Sequence, residues 1–394
     1  MKVLHLVASV NPNQGGPLAF ALNMAHERET HGHSSLFIST DPPNADWVTA
    51  FPFPIVTAPN SRRGIERAVA EHCPSCDVAI VHGLWNFASI GGYNPLRRNA
   101  VPWLLYPHGM LDPYFRRIKP VKHLIKQVYW LLWQGRMLSG ATKVLFTCEE
   151  EQTLAQNAFW GHHDYSGIAV RYCAADQKIT QPRPVQIPGL SGRDSSRPYL
   201  LFLSRIHPKK AVDTLLTAFA QIAHTFPEVD LIIAGPDKNS YADQLKAQAA
   251  SLGLDRRVFW TGQVAGIEKQ TLFAEATAFV LPSHQENFGQ VVAEALSAGT
   301  PVLISDKVNI HREVSENGVG LVCEDSLQGT KEMLTRFLSL PDHDRQAMAQ
   351  AARPTYERLF SVKSAYADLQ DQIDEALGAD QPCCGSDGNG FQQS

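Results

Sequence analysis

Apolar runs of three to five residues recur along this chain with helical stretches between them, and that alternation limits its fold more than any other feature. In the first half the runs are 3–7, 35–39, 78–81, 103–106 and 143–146, with helical spacing over 17–30 and 124–138. A strand that is apolar at every position needs cover on both faces, and a parallel neighbour is reached only through a crossover. The pattern therefore predicts a parallel sheet with helices on both sides. A stretch rich in Pro, Gly and Ser follows over 181–198, and a second series then starts at 199–203 and continues at 231–234, 258–261, 278–281, 302–304 and 320–322. The expected fold is α/β, with two Rossmann-like, doubly wound domains facing a central cleft. The expected boundaries are 1–185 and 198–355, then a helix over 356–378 and a disordered tail over 379–394. Phe360, Val362, Tyr366, Leu369 and Ile373 fall at helical spacing and suit a helix that crosses back onto the first domain; a plain terminal helix on the second domain is the alternative.

The 394 residues leave room for two such cores, and 44% are hydrophobic. A net charge of -4 gives no general footprint for nucleic acid. No apolar run approaches the roughly 18 residues that span a bilayer. Residues 1–10 read as a first buried strand rather than as a leader peptide, because a turn, Asn11-Pro12-Asn13-Gln14-Gly15-Gly16, follows at once. Seven scattered cysteines suit reduced thiols and a cytoplasmic setting. Cys73-Pro74-Ser75-Cys76 has no second ligand pair at zinc spacing.

The densest chemistry lies in 282–302. Glu286 sits in a loop after an apolar strand, Phe288-Gly289 marks a helix start, Glu294 follows about two turns into the helix, and Ala298-Gly299 leads into the next strand. The first turn of a helix offers unpaired N–H groups and a positive dipole end, and Gly289 lets a ligand approach the backbone. Carboxylates beside such an anion site make sense if they face sugar hydroxyls, since a carboxylate accepts what a hydroxyl donates. A nucleotide-sugar carries both groups.

This run resembles the Glu-x7-Glu signature of retaining glycosyltransferases of family 4, which are glycogen-synthase-like and have the GT-B fold. The resemblance is strong over most of the second half and loose over the first. Arg205 and Lys210 in 204–216 resemble the family's Arg-x4-Lys-Gly motif, with Ala211 where Gly is usual and Lys209 as a competitor for the cationic role. The Gly15-Gly16 loop and the His108-Gly109 loop resemble two further family loops, although the first also reads as a plain βα loop and a lone His is usually structural. The resemblance implies that Glu286 holds the donor sugar and that Glu294 accepts from the ribose. Asn287, Phe288, Gly289 and Gln290 would hold the diphosphate with Gly15, Gly16, Arg205 and Lys210. His108 would bind a sugar hydroxyl or carry a proton. Gly235 with Asp237, and Thr261-Gly262, resemble segments near the nucleotide, and 306–310 reads as a nearby loop.

The implied reaction retains configuration at the anomeric carbon, with attack on the face the diphosphate leaves. The protein would supply positioning and charge. The one Asp-x-Asp, Asp342-His343-Asp344, lies outside the runs that carry the resemblance, so the expected site needs no metal and no cofactor. The expected partners are a UDP- or GDP-sugar and a glycan or lipid-linked acceptor, and the expected setting is cell-surface polysaccharide synthesis. The basic, aromatic stretch 116–133 suits either contact with the inner membrane face or packing into the first domain. A nucleotide-sugar epimerase of the same fold and a non-catalytic sugar-binding protein are the competing readings.

Overall fold

The computed structural model describes residues 1–12, 15–118, 120–179, 185–236 and 240–378. The expected tail over 379–394 lies outside them, as do Asn13, Gln14, Asp237 and 181–184 of the expected linker.

The first sheet contains β1 (Lys2–Leu6), β2 (Ser34–Ser39), β3 (Ile55–Thr57), β4 (Val78–His82), β5 (Trp103–Tyr106), β6 (Lys143–Phe146) and β7 (Gly167–Ala169). All its pairings are parallel, in the order β3-β2-β1-β4-β5-β6-β7. The second sheet contains β8 (Tyr199–Leu203), β9 (Asp230–Ala234), β10 (Val258–Gly262), β11 (Ala278–Leu281), β12 (Val302–Ser305) and β13 (Gly320–Cys323). It is also parallel throughout, in the order β10-β9-β8-β11-β12-β13. The sequence misses only β3 and β7, three-residue edge strands whose residues are half-buried and so carry no apolar run.

Each order reverses direction once, between β1 and β4 and between β8 and β11. Open parallel sheets bind ligands beyond the carboxyl ends of strands at such reversals. The exits of β1, β5, β7, β8 and β11 all supply the cleft described below.

The chain crosses between the sheets twice. The segment after β7 leads to the second domain, and helix Asp342–Leu359 followed by Val362–Ala376 leads back. The last helix packs on helix Gly16–Thr30 of the first domain: His31 stacks on Tyr366 at 4.6 Å, and Arg28 donates to Gln370 at 3.3 Å. An aromatic ladder joins the domains, with Phe20 on Tyr172 at 4.0 Å, Tyr172 on Phe288 at 4.9 Å and Phe288 on Phe360 at 5.6 Å. At the start of the second domain Gly189 lies against β10, where a Cβ would come within 1.9 Å of the Trp260 carbonyl oxygen.

The stretch 116–133 packs differently along its length. Helix Pro120–Tyr129 buries none of its residues, and a π-helical turn, Trp130–Gln134, carries the chain on into helix Gly135–Ser139. Trp130 is buried in the first-domain core, whereas Val121, Leu124, Ile125 and Val128 are exposed at i, i+3, i+4 and i+7. Among the described residues no helix is long and apolar enough to cross a membrane.

Candidate active site

A cleft of about 450 Å³ lies between the two sheets. Gly15, Gly16, His108, Arg205, Lys210, Glu286, Asn287, Phe288, Gly289 and Gln290 all line it. Glu294 is the one expected site residue outside that lining.

The β11 exit builds the acidic side. Gly289 adopts φ 72° and ψ 59°, the left-handed region that glycine occupies at no steric cost, and it caps helix Gln290–Ser297. The helix therefore starts at Gln290 rather than in the Phe288-Gly289 turn, and Glu294 sits little more than one turn along it instead of two. Its carboxylate takes Lys269 at 2.7 Å. Burial raises the Glu294 carboxyl, and Lys269 works against that rise. Glu286 is braced by the loop at 306–310: its N–H donates to the Lys307 carbonyl at 2.9 Å, and its own carbonyl accepts from Asn309 at 3.1 Å.

The β8 exit supplies the cations. Lys210 is buried and its ammonium is in contact with the Glu286 carboxylate. Burial, with Lys209 and Arg205 adding, pushes the Lys210 ammonium down to about 7. Lys209 donates to Gln285, which in turn donates to Asp112 at 2.7 Å, so this second lysine ties the domains together. Arg205 is exposed and forms no ion pair among the described residues. Ala211 takes the position expected for glycine with φ 53°, in the left-handed region, and it caps helix Val212–Ile222. Gly235 lies beneath this loop because a Cβ would fall 1.8 Å from the Ser204 carbonyl oxygen. Gly262 accepts from the Gly235 N–H at 2.8 Å and lies outside the cleft lining, as does Thr261.

The first domain contributes two glycine turns. The Gly16 carbonyl accepts from Gln290 of the second domain at 3.2 Å. The His108-Gly109 turn is left-handed at both residues, with φ 51° and 74°. Both ring nitrogens of His108 are engaged, Nε2 with His82 Nδ1 at 3.3 Å and Nδ1 with Tyr172 Oη at 3.3 Å. Burial, together with His82, holds the His108 ring well below the ordinary histidine range, so it is neutral at pH 7.

Sequence reading missed Glu151. Its carboxylate is buried and accepts from Gly109 N–H at 2.5 Å, Thr147 N–H at 2.8 Å, Thr147 Oγ at 2.6 Å and Asn287 Nδ2 at 3.2 Å. It shapes the β5 exit and reaches across to the β11 exit. The only signal was an acid run, 149–151, opening the helix after β6. His82, Tyr172 and Lys269 were missed as well, since each is defined by a partner far away in the chain.

Residues 187–355 match the family described as Glycosyl transferases group 1. The chain is 28% identical over 231 residues to a D-inositol 3-phosphate glycosyltransferase of Frankia alni, covering 56% of each. It is 36% identical over 123 residues to a phosphatidyl-myo-inositol mannosyltransferase of Mycobacterium tuberculosis, covering 31% of each. The chain thus spans about half the length, or less, of the curated relatives it matches. Among solved structures, a glycosyltransferase from Rickettsia africae superposes with a TM-score of 0.77 at 16% identity, over 95% of this chain and 98% of that one. Anabaena HepE in complex with UDP and glucose superposes with a TM-score of 0.74 at 19% identity, over 95% and 100%. The fold is GT-B, and the family match falls on its second domain.

Proposed function

We propose that this chain is a retaining glycosyltransferase that moves a sugar from a nucleotide-sugar to a glycan or lipid-linked acceptor, in the synthesis of a cell-surface polysaccharide. The observation that carries the reading is the convergence on one cleft of a buried Lys210 paired with a half-buried Glu286, an exposed Arg205 and a left-handed Gly289 ahead of a helix, in the domain that matches the family. An anionic diphosphate fits the cations and the helix end, and sugar hydroxyls fit the Glu286 carboxylate.

In this reading Arg205 and Lys210 neutralise the charge that grows as the diphosphate departs, and Glu286 sets the donor sugar in place. Lys210 balances Glu286 until the donor arrives and then shares its proton-bearing nitrogen with a phosphate oxygen. The departing phosphate takes the proton of the acceptor hydroxyl. Glu294, seated by Lys269, receives the ribose hydroxyls. The cations stand where a divalent ion would otherwise act, so donor binding is metal-independent. The exposed row Val121, Leu124, Ile125 and Val128, beside the cation Lys122, rests on an anionic membrane surface where a lipid-linked acceptor is presented.

Thermal-shift titration with UDP, GDP and their sugars, with and without EDTA, tests the donor site. A rise in Tm with one nucleotide class that survives EDTA is expected, and Lys210→Met should abolish it. No shift with any nucleotide would sink the assignment. Sugar transfer to acceptor, against epimer formed without acceptor, separates transfer from isomerisation. Co-sedimentation with phosphatidylglycerol vesicles should fall with Leu124→Glu, and equal binding by both proteins would refute the membrane contact.

A further inference from the structure

A column of three imidazoles, His5 and His82 buried and His108 half-buried at the cleft wall, runs from the middle of the first sheet to the cleft. His5 lies on β1, His82 ends β4 and His108 follows β5. His5 Nδ1 is 3.1 Å from His82 Nε2, His82 Nδ1 is 3.3 Å from His108 Nε2, and His108 Nδ1 is 3.3 Å from Tyr172 Oη. The rings stack, with centroids 5.4 and 5.5 Å apart and planes within 18° and 11°. The Tyr172 hydroxyl reaches the Gly16 carbonyl at 3.5 Å.

Burial depresses all three rings, His82 to about 3, so each is neutral and carries one N–H. A chain of neutral rings can run in only two directions. Running outward, His5 Nδ1–H donates to His82, His82 Nδ1–H to His108, His108 Nδ1–H to Tyr172, and Tyr172 O–H to Gly16. Running inward, every donor reverses, and His5 Nε2–H ends the chain. His5 Nε2 is buried without a partner. The inward direction would therefore strand a buried N–H and take the hydroxyl proton away from the Gly16 carbonyl. A stranded donor is rarer and costlier than a bare acceptor. Both ends of the column select the outward direction.

We propose that His5 and His82 are positioning residues that fix His108 as its Nδ1–H tautomer and, through the Tyr172 hydroxyl, hold the Gly15-Gly16 loop closed on the cleft. Both ring nitrogens of His108 are then committed to the column, so His108 is a link in it rather than a donor to substrate. Gln290 donates to the same Gly16 carbonyl from the second domain, so the loop is gripped from both sides. The consequence for turnover rests on the transferase reading; the tautomers do not.

The test is a long-range proton–nitrogen spectrum of the full chain labelled at histidine, with resonances assigned by single substitution. His5, His82 and His108 are expected as neutral Nδ1–H tautomers at pH 7, and an Nε2–H tautomer or an imidazolium at any of them would overturn the proposal, whatever the enzyme does. His5→Leu removes the first donor and should leave the His108 tautomer mixed. It should also lower kcat about tenfold at unchanged KM for the donor, the factor equivalent to roughly 1.4 kcal/mol. His5→Asn carries an amide nitrogen as many bonds from Cα as Nδ1 and should restore both. A His5→Leu protein that is folded by circular dichroism and shows an unmixed His108 tautomer would refute the coupling. If the spectrum holds but no sugar is transferred, the transferase reading fails and the column stands.

Discussion

Gly109→Ala should loosen the grip between the domains. Gly109 turns at φ 74°, and a Cβ there would lie 2.6 Å from Asn287 Cγ and 2.7 Å from Asn287 Cβ. To regain ordinary contact the Asn287 side chain would have to withdraw by about 0.8 Å. It now donates to Thr147 Oγ at 3.0 Å and to the Glu151 carboxylate at 3.2 Å, and a shift of that size takes both bonds out of range. Losing them costs about 1–3 kcal/mol, with the higher figure set by the charged acceptor. The left-handed alanine adds about 1–2 kcal/mol. The sum, about 2–5 kcal/mol, should appear as a lower urea midpoint and a smaller thermal shift with the proposed donor nucleotide. The decisive measurement is a double-mutant cycle. Asn287→Gly gives up the two bonds and removes the Cβ as well, which clears the space, so in the double variant Gly109→Ala should cost only its backbone strain. A coupling of about 1–3 kcal/mol is expected, and additivity within about 0.5 kcal/mol would refute the argument.

Lys210 gives a pH dependence with a defined sign. Its ammonium sits at about 7 in the folded chain, below its ordinary value of 10.5, so nucleotide binding by calorimetry should weaken as pH rises from 6 to 9, and Lys210→Arg, which keeps its charge across that range, should flatten the profile. Between those two values the unfolded chain holds more of this proton, so the same group makes stability rise with pH. Asp230 is buried against Arg193 at 3.1 Å, Arg197 at 3.0 Å and Arg257 at 3.4 Å, at the end of β9 away from the cleft. Asp230→Asn should cost about 3–5 kcal/mol, seen as a lower Tm, yet leave the nucleotide-induced shift in place; an unchanged Tm would refute it. Ala211→Gly relieves about 1 kcal/mol of left-handed strain but loses a buried methyl worth about 0.8 kcal/mol, so the Tm should barely move.

The second domain was legible strand for strand, because each of its strands is an apolar run between turn residues. The edge strands β3 and β7 were not, since Ile55–Thr57 and Gly167–Ala169 are half-buried and offer no pattern. At the cleft, residues inside one βα loop were readable, such as Glu286 and Gly289 or Arg205 and Lys210. Residues that act through distant partners were not. His5 meets His82 across 77 positions, Gly109 meets Glu151 across 42, and Lys269 meets Glu294 across 25. Nothing local marks such a pair; only the strand order β1-β4-β5-β6 brings the first two together.

The two passages between the domains run side by side. Arg353 forks onto Asp176 at 2.5 and 2.7 Å, Tyr356 donates to the Ala174 carbonyl at 2.9 Å, and Ala174 donates to the Phe360 carbonyl at 3.1 Å. Beyond them, Tyr366, Leu369 and Ile373 bury one face of the last helix. The second domain is therefore not a module that a single cut can lift out. A fragment beginning near 187 would carry a helix whose seat has been left behind, with an apolar stripe open to self-association. Grafting this second domain onto a relative's first domain takes two junctions, one in each passage, with the terminal helix travelling with the recipient.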